Sequence, residues 1–331
     1  MIAAASLRTA LLDTRTRLNH VRTPEIELAL AILVSILVIG GLENSFFRYA
    51  SLTNLAVGAA FIGIIALGES ILLLAGEFDL SVGAVAGLAS VVGAKSMIAT
   101  GGNIPIGVLA AVGTGLLVGA INAACVVLLR LPSFITTIGM QFIASGLATF
   151  ITHGNPVYPL PAALTQFGLA TPLNLSWMFF IFLGLGVLID LGVRFTTNGR
   201  RLMASGGDPA VAAITGIRTG RVKAAAFLIC SGIAALAGLL QMASQGVAQP
   251  TTGNGAELSA IAAAVIGGTS IFGGSGSPLG AMLGVLFLTI ITVGVVVVGF
   301  GANWQSLAIG IILVIAIGAD VARRRASTRR T

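Results

Sequence analysis

Two short segments place a carboxylate, a leucine and a serine directly before a run of small residues. They are Asp79-Leu80-Ser81 and Glu257-Leu258-Ser259. A carboxylate in this position can stabilise the start of a helix through the helix dipole. It can equally line a path for a polar solute through a helix bundle. The sequence leaves both interpretations open for Asp79, Ser81, Glu257 and Ser259.

A further carboxylate, Glu69, follows the uncharged run 49–68. Inserting a carboxylate into hydrocarbon costs about 2.5–3.5 kcal/mol, so Glu69 is predicted to face the bundle interior or a polar cavity. A proton relay would require a second Asp, Glu or His deep in another span. The sequence places none there, which argues against proton-coupled transport.

The glycine-rich segment 267–277 superficially resembles a phosphate-binding loop. It lacks the Lys-Ser/Thr pair of that motif and joins two apolar runs, so it predicts a sharp interhelical turn and no nucleotide site. Cys125 and Cys230 lie in apolar stretches and are predicted to be buried small side chains. Because no nucleophile–base or metal-ligand constellation is present, the sequence predicts neither an enzyme nor a bound cofactor.

The composition excludes an ordinary soluble domain. Mean hydropathy is +1.03, and only 9% of the residues are charged. Charges are absent from four long segments, 96–129, 131–189, 224–256 and 258–319. Each is long enough for at least one span of about 20 residues. The net charge of +7 does not predict nucleic-acid binding, because the basic residues flank apolar runs. We therefore predict an all-α polytopic membrane protein.

The apolar runs predict about ten transmembrane helices, at 26–42, 52–75, 80–99, 105–129, 134–152, 176–193, 223–244, 258–272, 278–299 and 303–320. This divides the chain into a basic N-terminal segment (1–25), a transmembrane domain (26–321) and a basic tail (322–331). With a cytoplasmic N-terminus, every Lys and Arg except Arg48 and Lys95 lies on the cytoplasmic side, so both termini are predicted to be cytoplasmic. The Asp79 and Glu257 segments follow spans five apart, which predicts two inverted five-helix repeats.

The segment 198–223 is the one long polar and basic interruption in the second half of the chain. Within it, Asp208 is a suitable N-cap, Pro209 suits the first helical position and Gly216 can end the helix. The residues between them predict one short helix. Its small face, formed by Ala212, Ala213 and Thr215, predicts close contact with another protein.

Three blocks, at 76–94, 198–217 and 249–281, resemble the permease subunits of ribose-type monosaccharide ABC importers. The wider family includes branched-chain amino-acid permeases, and the resemblance covers roughly residues 50–321. The third block, QPTTGNGAELSAIAAAVIGGTSIFGGSGSPLGA, is the most specific of the three. One departure is Glu77-Phe78, where many members have Gly-Ile before the aspartate. This difference is a candidate determinant of substrate choice.

The resemblance implies an inner-membrane protein that pairs with itself or with a related permease. Partner ATPase subunits would bind ATP, and a periplasmic or lipid-anchored binding protein would deliver the monosaccharide. By position, the ATPase-contacting residues would be Gly199, Arg200, Gly207, Asp208, Ala212, Ala213, Gly216 and Ile217. The candidates for the translocation pathway are Glu69, Asp79, Ser81, Glu257 and Ser259. Two alternatives stay open: a permease for another small polar solute such as an amino acid or nucleoside, and a stand-alone secondary transporter.

Overall fold

Apolar helices form nearly all of the described chain. The computed structural model describes residues 25–301 and 303–328. The predicted N-terminal segment 1–25, apart from Glu25, and the end of the predicted tail 322–331 lie outside these residues. The helices are α1 (Glu25–Leu42), α2 (Tyr49–Leu74), α3 (Val82–Ala99), α4 (Ile104–Ala123, extended by a π-helical turn Ala124–Leu128), α5 (Ser133–Thr152), α6 (Ala162–Leu169), α7 (Trp177–Phe195), α8 (Thr197–Gly207), α9 (Pro209–Ile214), α10 (Thr219–Gln245), α11 (Ala256–Ile266), α12 (Pro278–Val297) and α13 (Asn303–Thr328).

The predicted all-α polytopic architecture is confirmed. Among the described residues, eight helices are long and apolar enough to cross a membrane. The other two predicted spans correspond to shorter apolar helices at Ala256–Ile266 and Asn303–Gly318. The chain is a multi-pass membrane protein.

The predicted span 258–272 is wrong in its extent. Helix α11 ends at Ile266, and the backbone of Gly268 has a positive φ of 89°, which ends the helical path. With 11 residues, α11 is about 16 Å long, roughly half the hydrocarbon thickness of a bilayer. The segment 267–277 forms the predicted turn between α11 and α12.

The centre of the bundle is built from α2, α3, α10 and α11. Most side chains of α2 and α3 are buried, whereas α1, α4, α5 and α7 carry many exposed large apolar residues. Exposed apolar side chains on these outer helices are what a hydrocarbon environment accommodates. The interior is rich in alanine and glycine, so the helix backbones approach each other closely.

Helix pairing supports the predicted repeat. Helices α2, α3, α4 and α5 can be matched in order with α10, α11, α12 and α13. Under this correspondence, each of the following packed helix pairs has a counterpart that is also packed. Contact between α10 and α4 corresponds to contact between α2 and α12, and contact between α10 and α3 corresponds to contact between α2 and α11. The pairs α3–α4 and α3–α5 correspond to α11–α12 and α11–α13 in the same way. The opposite orientation of the two halves stays a prediction.

Candidate functional site

The carboxylate of Asp79 is the acceptor at the centre of a fully buried hydrogen-bond network. Its Oδ1 accepts from the backbone N–H of Ser81 at 2.8 Å and from the Ser81 hydroxyl at 2.5 Å. Its Oδ2 accepts from Asn122 Nδ2 at 3.1 Å and from the Ser231 hydroxyl at 3.4 Å. Asn122 and Ser231 lie on α4 and α10, so the segment between α2 and α3 is tied to both helices.

Glu69, on α2, extends this network. Its Oε1 accepts from the backbone N–H of Asp79 at 2.9 Å, and the thiol of Cys230 lies 3.6 Å from its Oε2. Glu69 faces the bundle interior, as predicted, and Cys230 is buried, as predicted. Cys125 is only partly buried, in the π-helical turn that ends α4.

The sequence predicts no second carboxylate deep in another span, and the structure adds a carboxylate that lies outside the spans but beside Glu69. Asp79 is fully buried beside Glu69, in the segment between two spans instead of inside one. The sequence does not predict this contact between Glu69 and Asp79, because the contact depends on how the segment 75–81 folds back against α2. Both carboxylates contact protein groups and have no exposed surface. This arrangement supports a structural role for Glu69, Asp79 and Ser81 at the base of α3.

The starts of α3 and α11 meet in the interior. A Cβ built on Gly83, in the first turn of α3, would overlap the carbonyl oxygen of Gly253 and Oε2 of Glu257. Only glycine permits this approach. The Glu257 side chain therefore lies between the N-termini of two helices, where a negative charge is stabilised by both helix dipoles.

Glu257 has one unused acceptor atom. Its Oε1 accepts from Gln141 Nε2 on α5 at 3.1 Å, whereas Oε2 is buried and has no hydrogen-bond partner among the described residues. No sequence signal indicates Gln141, because a single glutamine in an apolar helix has no motif around it. Ser259 donates to the carbonyl of Gly255 at 3.1 Å, one turn back, which fits a role in starting α11.

Glu77 forms an ion pair with Lys223, with 2.6 Å between Oε1 and Nζ. Lys223 lies in the first turns of α10, directly after the α8–α9 segment, and both side chains are largely shielded. The unusual Glu77 is therefore bound to the chain's own α10. Glu77 therefore has a structural role within the chain, and a part of Glu77 in substrate choice stays a prediction.

Three glycine-bearing segments meet at the end of α8. A Cβ on Gly206 would overlap the carbonyl oxygen of Leu74, and the backbones of Gly76 and Gly273 also lie against Gly206. The backbone N–H of Gly274 donates to the Leu74 carbonyl at 3.2 Å. Helix α8 thus contacts, backbone to backbone, both the segment after α2 and the turn after α11. Neither contact was predicted from the sequence.

The predicted short helix at 208–216 is present as α9. Asp208 accepts at its side chain from the N–H groups of Ala210 and Val211, both at 3.0 Å, and Pro209 is the first helical residue. Gly216 follows the helix with φ of 85°, in the left-handed region. The predicted start and end of α9 are confirmed.

The predicted contact face of α9 is wrong in one residue. Ala212 is buried, with 3% of its surface exposed, and faces the rest of its own chain. Val211 and Ile214 instead point outward, with 55% and 87% of their surfaces exposed. Ala213 and Thr215 are exposed, as the prediction requires. Small size does not by itself mark a surface for a partner, and at Ala212 it reflects packing against α8 and α10.

The remaining predicted contact residues divide into two groups. Gly199 is buried, and a Cβ there would overlap the backbone of Val193 in the last turns of α7. Ile217 is partly buried and donates its backbone N–H to Ala212 at 3.0 Å. Three residues are exposed: Arg200, Gly207 and Gly216.

Comparison with known proteins identifies the family. Residues 51–317 match the family described as the branched-chain amino acid transport system / permease component. The chain belongs to this family, and it is a transport permease component, not an enzyme.

Two relatives cover most of the chain. It is 32% identical to the autoinducer 2 import system permease protein LsrC of Photorhabdus luminescens, over 87% of each chain. It is 32% identical to the ribose import permease protein RbsC of Escherichia coli, over 88% of this chain and 92% of that one. No solved structure matches the chain.

Proposed function

We propose that this chain is the membrane-spanning subunit of an ATP-binding cassette importer for a monosaccharide-type solute. Relatives named for ribose and autoinducer 2 import support this class of solute. The proposed location is a bacterial inner membrane, with both termini in the cytoplasm. A separate solute-binding protein would deliver the solute, and two permease chains would pair to form the pathway.

The outward-facing apolar side chains of α9 carry the proposal. Val211 and Ile214 lie on a helix between the basic residues Arg200 and Arg218, at the end of the bundle that the charge distribution assigns to the cytoplasm. Charged surroundings of this kind place the two side chains in water and not in lipid. An apolar pair exposed to water fits a surface that another protein covers. In the proposed assembly this protein is the ATPase subunit.

The contacts of α8 and α10 provide a route from the ATPase to the membrane interior. Displacement of α8 acts on the segment 75–81 through the backbone contact at Gly206, and displacement of α10 acts on it through the Lys223–Glu77 ion pair. That segment carries Asp79 and Ser81 and leads directly into α3. We infer that nucleotide-driven movement shifts α3 against α11, at the point where Glu257 and Gln141 lie.

A stand-alone, proton-driven transporter is less well supported. A coupling carboxylate has to exchange protons with water in at least one state, and Glu69 and Asp79 are fully buried with their oxygens held by protein donors. Glu257 is held by Gln141 but keeps a free oxygen, which makes it the better candidate for a polar contact in the solute pathway.

The proposal is tested by reconstitution into vesicles. The permease is combined with a cognate ATPase and binding protein, and uptake of radiolabelled ribose is measured with internal or external ATP. We expect accumulation only when all components and ATP on the ATPase side are present. Accumulation by the permease alone under an imposed proton or sodium gradient would refute the proposal, whereas ATP-driven uptake of an amino acid or nucleoside but not of a sugar would change only the solute.

A further inference from the structure

A cavity of about 460 Å³ lies between α2, α7, α8 and α10. Its inner wall is apolar, formed by membrane-helix residues that include Ile71, Ile189 and Ala226. Ile229, which also lines the cavity, keeps 46% of its surface exposed, so the apolar wall reaches the outside of the bundle. The cavity is an apolar recess that opens toward the hydrocarbon.

The opposite end of the cavity is cationic. Arg201 on α8 and Arg221 on α10 both line it, and both are exposed. Neither has an ion-pair partner among the described residues, and the described lining includes no acidic side chain. Asn198 and Gly199, in the first turn of α8, lie at the same end. Two guanidinium groups with no counter-charge among the described residues therefore line one recess at the boundary between membrane helices and the polar segment.

We propose that this cavity binds an anionic phospholipid of the leaflet on that side of the membrane. The two arginines suit a phosphodiester, which accepts hydrogen bonds from guanidinium groups. The apolar wall suits the glycerol backbone and the upper part of the acyl chains. A free phosphate would leave the apolar wall unused, whereas an amphiphile matches both ends of the cavity. Basic pockets between transmembrane helices are a recurring type of anionic-lipid site.

The small residues on α7 and α10 create the space. Gly192 and Ala225 both line the cavity, and a Cβ built on Gly192 meets no atom within 4 Å. A larger side chain at Gly192 can therefore occupy free volume without displacing the helices. This gives a variant that blocks the recess and leaves both arginines in place.

The test is native mass spectrometry of the purified full-length chain in detergent. The protein is titrated with dioleoylphosphatidylglycerol, with dioleoylphosphatidylcholine and with inorganic phosphate. We expect selective retention of phosphatidylglycerol by the wild type. The double variant Arg201→Ala/Arg221→Ala should bind it about 30-fold more weakly, since the loss of each basic residue near an anionic lipid lowers the affinity about fivefold. Gly192→Leu should also lose binding although its charge is unchanged.

Arg130→Ala/Arg218→Ala is the matched control. It removes the same charge from residues outside the cavity, and it should bind phosphatidylglycerol as the wild type does. Equal retention in the wild type, the double variant and Gly192→Leu would overturn the proposal, as would equal retention of phosphatidylcholine. Binding of inorganic phosphate that Gly192→Leu leaves intact would assign the arginines to a free anion and overturn it. A dimer that Gly192→Leu dissociates, with no lipid on the wild type, would assign the recess to a second copy.

Discussion

At the scale of single residues, the buried polar groups decide how the interior is held together. Asp79 accepts four hydrogen bonds from Ser81, Asn122 and Ser231, and its own backbone N–H donates to Glu69. In an interior rich in alanine and glycine, these bonds give the segment before α3 a defined position. A buried donor that loses its acceptor has no water to replace it.

Asp79→Ala should therefore destabilise the protein strongly. The substitution leaves the Ser81 and Asn122 donors without their acceptor, which should lower the free energy of unfolding by about 3 kcal/mol or more. Thermal unfolding in detergent measures the effect. Ser231→Ala is the control, since it removes only the 3.4 Å bond and should have a small effect. Equal melting temperatures for Asp79→Ala and the wild type would show that the network contributes nothing to stability.

The Glu77–Lys223 pair offers a charge-exchange experiment. Glu77→Lys places a second cation beside Lys223, where the native ion pair has 2.6 Å between its charged atoms. The repulsion should lower both thermal stability and ATP-driven uptake. The exchanged variant Glu77→Lys/Lys223→Glu restores opposite charges and should recover much of both, with a coupling free energy of about 0.5–3 kcal/mol. If the exchanged variant is as impaired as the two single variants combined, the pair has no role in linking α10 to segment 75–81.

At the scale of elements, α8 and α9 have different surfaces for different neighbours. Helix α8 is buried through Gly199 and Gly206 against the membrane helices, whereas α9 buries Ala212 and exposes Val211 and Ile214. The pair therefore joins a covered inner face to an open outer face. This is the arrangement expected of a segment that transmits force from a partner to the bundle.

Ile214→Asp should separate docking from folding. Ile214 is 87% exposed, so the substitution should leave the melting temperature of the isolated chain unchanged. Placed in the proposed contact with an ATPase, the new carboxylate is desolvated without a partner, and ATP-driven uptake should fall at least about tenfold. Ile214→Leu is the conservative control and should retain uptake. Full uptake by Ile214→Asp would place the ATPase contact elsewhere.

Gly206→Ala tests the backbone contact of α8. An added methyl group overlaps the Leu74 carbonyl, and overpacking of this kind costs about 1–3 kcal/mol. Gly207→Ala is closely matched, because the nearest atom to its Cβ is the Gly274 Cα at an ordinary 3.6 Å. We expect a lower melting temperature for Gly206→Ala only. Identical behaviour of the two variants would contradict the close packing of α8 on segment 75–81.

At the scale of the whole molecule, two short interruptions organise the bundle. The segment 75–81 precedes α3 and the segment 246–255 precedes α11, and the two helix starts meet beside Gly83 and Glu257. Helix pairs that pack together also have packed counterparts when the two halves are interchanged. If the halves are inverted, as predicted, the two interruptions enter from opposite sides of the membrane and meet near its middle.

Orientation can be checked by cysteine labelling. Ala213→Cys on α9 and Gln166→Cys on α6 introduce thiols at exposed positions. A membrane-impermeant maleimide should label Gln166→Cys in intact cells and Ala213→Cys only in inside-out vesicles, because the basic residues are predicted to be cytoplasmic. The wild type provides the baseline, since Cys230 is buried and Cys125 is partly buried. The reverse pattern would contradict both the orientation and the proposed ATPase contact.

The sequence by itself determined the class of structure and the two ends of the short helix α9. Long uncharged runs have no stable alternative to membrane helices, and the signals at Asp208, Pro209 and Gly216 act within one turn of the chain. Such features depend on neighbours in sequence, so they could be predicted. The family resemblance, predicted over roughly residues 50–321, is confirmed by a match over residues 51–317.

The tertiary structure alone decided which residues meet. It brought Asp79 to Glu69, Gln141 to Glu257 and Lys223 to Glu77, and it turned Ala212 inward and Ile214 outward. Each of these outcomes depends on the path of the breaks at 75–81 and 246–255 and on the rotation of helices about their axes. In a chain whose helices are apolar on every side, the hydrophobic pattern does not fix that rotation. Close packing of glycine and alanine against facing backbones does.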